Sequence, residues 1–110
     1  MDFEFYETDV MRTSNPDKNL ENRRCLAVIG LSGEVGEVAE LYKKALFHGK
    51  TLDKEALLKE LGDVLWYLTY YANTEGFTMS EVAQANIDKR LKRYPEGFSI
   101  EASAERKDEK

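Results

Sequence analysis

The stretch GLSGEVGEVAELYKK, residues 30–44, decides the fold. It carries three glycines, Gly30, Gly33 and Gly36, yet otherwise has the apolar spacing of an amphipathic helix. Glycine inside a helix is worse than alanine by about 1 kcal/mol. Glu34, Glu37 and Glu40 run between the glycines at the same step of three. A helix that keeps both features must use them together.

Working outward, Val28, Leu31, Val35, Val38, Tyr42 and Ala45 recur at steps of three and four, which predicts a long helix from about Asp17 to Phe47. His48-Gly49-Lys50 ends it, with Gly49 as a left-handed cap. After Thr51 or Asp53 as N-cap, Leu57, Leu61, Val64, Leu68 and Tyr71 repeat the pattern and stop near Gly76. The short link predicts an antiparallel helix pair. Upstream, Phe3, Tyr6 and Val10 predict a short first helix before Asn15-Pro16. Downstream, Thr78 and Glu81 form a capping-box signature for a fourth helix, which runs to about Tyr94, before Pro95. The expected fold class is therefore all-α, a four-helix bundle built as one domain over residues 1–98. EASAERKDEK, at the end of segment 99–110, reads as a charged, flexible tail.

Composition narrows the function classes. A chain of 110 residues supports one modest core. The net charge of −5 argues against a nucleic-acid polymer as partner, which would require an excess of Lys and Arg. The basic run KRLKRY, residues 89–94, is the local exception. No apolar run is long enough to span a bilayer, and MDFEFYETD is acidic where a secretory leader would be basic and then apolar. Together with the lone Cys25, read as a small core or surface residue, these features predict a cytoplasmic protein without a membrane role.

The acidic residues carry the chemistry. Glu34-x-x-Glu37 and Glu60-x-x-Asp63 each stack two carboxylates on adjacent turns of one helix face. With Val35 and Leu61 as heptad a, and Val38 and Val64 as d, Glu34 and Glu60 both fall at g, and Glu37 and Asp63 at c. In an antiparallel pair the four are expected to converge on one edge. A single Glu-x-x-Glu is usually a solvated face, but two pairs in identical register beside apolar seams point to a cation site. With no cysteine or histidine nearby, the donor set suits Mg²⁺ or Mn²⁺. A di-iron bundle would need two Glu-x-x-His motifs, and the only histidine is His48, at a helix end.

On the fourth helix, Asn86, Lys89 and Arg93 share one stripe, opposite an apolar row of Ala83, Ile87, Leu91 and Tyr94. A cationic stripe facing a carboxylate-held metal would clamp a polyphosphate, and ordinary surface ion pairing is the plain alternative.

GLSGEVGEVAELYKK, KELGDVLWYLTYYANTEGF and ANIDKRLKRYPEGF together resemble the MazG-like family of all-α nucleoside triphosphate pyrophosphohydrolases, from about Leu26 to Phe98. The family pattern is Glu-x-x-Glu, a gap, then Glu-x-x-Asp, and here 22 residues separate Glu37 from Glu60. The resemblance implies that Glu34, Glu37, Glu60 and Asp63 are catalytic magnesium ligands, one of them also orienting or deprotonating the attacking water. It implies hydrolysis between the α- and β-phosphates, giving a nucleoside monophosphate and pyrophosphate. Asn86, Lys89 and Arg93 match a stretch that lies near the nucleotide, and Lys44 is a weaker match. The resemblance further implies a homodimer or homotetramer.

Within this chemistry a dCTP- or dUTP-directed enzyme or a phosphoribosyl-ATP pyrophosphohydrolase is the near alternative. A metal-binding helical regulatory module without turnover is the alternative from another class, and the four intact carboxylates argue against it. Trp66 is a candidate for base stacking, although Trp in LWYL more often packs in a core or interface. The glycines are expected to give clearance: without a Cβ at Gly33, Gly36 and Gly62, backbone, metal or phosphate can approach the acidic edge.

Overall fold

Each helix begins at a residue that can cap it. The computed structural model describes all 110 residues, Met1–Lys110. Helix α1 spans Phe3–Thr13, α2 Leu20–Phe47, α3 Lys54–Thr74 and α4 Met79–Arg93. Asp2, Asn19, Asp53 and Thr78 occupy the N-caps, and each side chain accepts a backbone N–H of the first turn. Thr78 and Glu81 form the full capping box. At the other ends, Gly49 and Gly76 adopt positive φ, 67° and 85°. The chain then folds back, with the Lys50 N–H donating to the Lys44 carbonyl and that of Phe77 to Ala72. The all-α architecture with long α2 and α3 agrees with the sequence reading.

Two boundaries differ from expectation. Helix α2 starts at Leu20 rather than near Asp17, because Asn15, Asp17 and Asn19 form successive side-chain-to-backbone turns that compete with helix. Segment 99–110, read from sequence as a flexible tail, forms a short helix α5, Ile100–Glu105, and a 3₁₀ turn, Lys107–Glu109. Ser99 caps α5, and Arg93 of α4 binds Asp108 across the gap.

Helices α2 and α3 run antiparallel. Going up α2, Arg24 meets Glu75, Gly30 meets Tyr67, and Glu34 groups with Asp63 and Glu60, so numbers fall along α3 as they rise along α2. Helix α1 closes one end. Val10, Ala27 and Tyr70 form the core there, with Tyr6, Trp66 and Tyr71 packed against it. Glu7 accepts the Met79 N–H at 2.5 Å and so ties α1 to the start of α4.

The chain buries little. Six of 110 residues are buried, and the radius of gyration is 17.3 Å, against about 13 Å for a compact domain of similar length. Half of the apolar seam read from sequence accounts for this: Val28, Val35 and Tyr42 on α2 are 52%, 52% and 51% exposed, and Leu61 on α3 is 48% exposed. The half-buried row of α2 is Leu31, Glu34, Val38, Leu41 and Ala45, and that of α3 is Leu57, Glu60, Val64, Tyr67 and Tyr71. Both helices are rotated by about one position from the heptad frame. Two glutamates therefore lie within the helix seam instead of along its edge.

Candidate metal centre

Glu34, one turn after Gly30, projects from the middle of α2 toward α3. Glu60 and Asp63, three residues apart, occupy successive turns of α3. One carboxylate oxygen from each of the three lies within 4.8 Å of the others. Glu34 and Glu60 are half-buried and Asp63 is exposed, so the cluster has a buried wall and an open mouth.

The electrostatics match this crowding. Partial burial pushes the Glu34 carboxyl up from its ordinary value, and the charges of Asp63 and Glu60 add to it, with Glu37 a smaller contributor. The Tyr6 hydroxyl is raised too, by burial first, then by the charges of Asp9 and Asp63, which places α1 beside the cluster. Three carboxylates held this close repel one another unless a cation or proton lies among them. All donors are hard oxygens, so the set fits Mg²⁺ or Mn²⁺.

A cavity of about 320 Å³ opens beside the cluster, lined by Glu34, Asp63, Trp66 and Tyr67. The aromatic pair follows Asp63 at i+3 and i+4, the spacing that stacks side chains on one helix face. Trp66 stacks on Tyr70 with ring centroids 5.3 Å apart and meets Tyr67 edge-on at 4.9 Å. The indole N–H donates to Thr13 Oγ1 at 2.9 Å. Trp66 is thus fixed by α1 and α3 while still lining the cavity. Tyr67, which the sequence did not single out, is a wall of the site; its position one turn beyond Asp63 was the available signal.

The other expected residues fall differently. Glu37, predicted to converge with the other three, is exposed and outside the trio. The rotation of α2 that turns Glu34 into the seam turns Glu37 toward its rim. Asn86, Lys89 and Arg93 lie on α4, which packs against α1, α3 and the C-terminal segment, and none of them lines the cavity. Asn86 accepts from Arg90, and Arg93 binds Asp108. Lys44 is exposed in the last turn of α2. The glycine reading also shifts. A Cβ at Gly30 would overlap the Tyr67 ring, whereas Gly33, Gly36 and Gly62 have open space around them. Within the chain, the clearance belongs to Gly30.

The MazG nucleotide pyrophosphohydrolase domain matches residues 26–98, a span that begins one residue before Ala27 of the core and includes all three clustered carboxylates. The chain belongs to the MazG nucleotide pyrophosphohydrolase family. This MazG domain is also 37% identical over 73 residues to the Gene 37 protein of Mycobacterium phage L5, a match that covers 63% of this chain and 64% of the phage protein. No solved structure matches it. Helix α1, which supplies Tyr6 and the Thr13 contact to Trp66, lies outside the matched MazG span.

Proposed function

We propose that this MazG domain is a Mg²⁺-dependent nucleoside triphosphate pyrophosphohydrolase, which splits the α–β phosphate bond to give a nucleoside monophosphate and pyrophosphate. The observation that carries the reading is the trio Glu34, Glu60 and Asp63, three hard donors with oxygens within 4.8 Å of one another, beside an aromatic-walled cavity. Glu34, Glu60 and Asp63 hold the ion, with Glu37 one turn along α2 as the fourth ligand. When bound, the divalent ion supplies charge neutralisation for the phosphates and acidifies a water.

The chain's own residues do the rest. A carboxylate of the set accepts a proton from the attacking water and orients it toward the α-phosphorus. Asn86, Lys89 and Arg93, with Lys44, bind phosphate oxygens, Arg93 through its planar fork. Trp66 and Tyr67 exclude water from one wall of the cavity. The role is clearance of surplus or non-canonical nucleotides in the cytoplasm. Val28, Val35 and Leu61, each already half covered, would gain about 1 kcal/mol apiece on full burial, and their exposure with that of Tyr42 supports assembly as a homodimer or homotetramer.

The test is a panel of deoxy- and ribonucleoside triphosphates with Mg²⁺, monitoring monophosphate and pyrophosphate. Turnover that disappears in Glu60→Ala and Asp63→Ala, with the helical spectrum retained, is expected. Absence of turnover across the panel at every metal concentration would refute the enzyme reading.

A further inference from the structure

One cation of the α4 stripe already holds an anion from its own chain. Arg93, in the last turn of α4, presents two edges of its guanidinium to Asp108: Nε to Oδ1 at 2.5 Å and an Nη2 donor to Oδ2 at 2.9 Å. Lys89, one turn earlier, points its Nζ at the same Oδ2 from 3.9 Å. Glu109 adds a second carboxylate to Arg93 at 3.5 Å and is itself bound by Arg106 at 2.7 Å. The Asp108 side chain is wholly buried under these groups, and that of Arg93 is 18% exposed.

This is the geometry in which an arginine fork takes two oxygens of a phosphate. The segment that brings the carboxylate has little else to hold it. Neither α5 nor the 3₁₀ turn buries an apolar residue, and Phe98, just before α5, and Ile100, at its start, are 75% and 76% exposed. Without an apolar anchor, the docking of residues 99–109 depends on the ionic contact, and an anion of higher charge can replace it.

We propose that Asp108, with Glu109, is an internal competitor seated on Arg93 and Lys89, which a polyphosphate displaces in order to reach these cations. The inference rests on the reading above that the α4 stripe binds substrate phosphates. The 3₁₀ turn then acts as a latch: it sets a threshold for anion binding, and α5 is released when the site fills.

The probe is inorganic tripolyphosphate, titrated calorimetrically without metal into the 110-residue chain. Asp108→Asn with Glu109→Gln, near-isosteric changes that remove only charge, is expected to tighten binding about tenfold. Adding Arg93→Gln to that double variant is expected to abolish the gain. Equal or weaker binding in the double variant, binding in neither protein, or a gain that survives Arg93→Gln overturns the proposal. Hydrogen exchange on the unaltered chain gives a second readout: saturating tripolyphosphate should accelerate exchange over residues 99–109, and unchanged protection counts against the latch. Neither measurement needs turnover. Failure of the enzyme reading would appear as an inert nucleotide panel with the tripolyphosphate shift intact, and failure of the latch as the reverse.

Discussion

Gly30 on α2 lies against the ring of Tyr67 on α3, with no space between them for a β-carbon. The contact fixes the closest approach of the two helices one turn before Glu34, and Tyr67 also walls the carboxylate cavity. Gly30→Ala gains about 1 kcal/mol in helix propensity but forces the ring aside, at a cost of about 1–3 kcal/mol. The expected outcome is a net loss of about 1 kcal/mol in denaturant unfolding, with weakened metal binding. Gly36→Ala, with open space around it, should instead stabilise the helix by up to about 1 kcal/mol. A loss at Gly36 would show that a second molecule closes on that face.

Glu34 ties stability to pH and metal. Its carboxyl is raised in the folded protein above its ordinary value of 4.5, so the folded state favours the protonated form. Metal-free stability should therefore fall as pH rises from about that value through the raised one, relative to Glu34→Gln, which carries no such charge. Thermal melts of both proteins in EDTA check the sign. Mg²⁺ at a hundred times its dissociation constant should restore about 2.7 kcal/mol to the unaltered protein at neutral pH. It should restore much less to Glu34→Gln.

Trp66 reports on the site without a label. It is the chain's only tryptophan and lines the cavity with Glu34 and Asp63. Its fluorescence is expected to change saturably on addition of Mg²⁺ and again with a non-hydrolysable nucleotide. Glu60→Ala should remove the metal-dependent step. Thr13→Val, which deletes the acceptor of the indole N–H, should shift the emission maximum of the free protein and cost about 1 kcal/mol.

Asp108 titrates in the opposite sense to Glu34. The Arg93 guanidinium holds its carboxyl below its ordinary value of 3.8, so the contact is fully present above that value and is lost as pH falls through the depressed one. Exchange protection over residues 99–109 should be constant from neutral pH down to about pH 4 and fall below it. Asp108→Asn should show reduced protection at every pH.

The sequence by itself determined the four longer helices and the pairing of the carboxylates along two of them. Caps at Asp53 and Thr78, left-handed Gly49 and Gly76, and the three-and-four spacing are local signals, decided within a few residues of chain. The carboxylate pairs and their hard-oxygen character could be read for the same reason, and so could the family. Only the tertiary structure decided how far each helix is turned about its axis. The apolar residues of α2 and α3 form a stripe wider than one helix contact. Val28, Val35 and Leu61 satisfied the periodicity as well as Leu31 and Val38 do, yet remain exposed. Which half faces inward depends on where Tyr67 can reach Gly30, and that is a contact between distant parts of the chain. That rotation moved Glu34 and Glu60 into the seam and left Glu37 at its rim. The partner of Arg93 was hidden for a similar reason: Asp108 lies fifteen residues on, past a left-handed turn at Arg106, and only the folded path brings it back to α4.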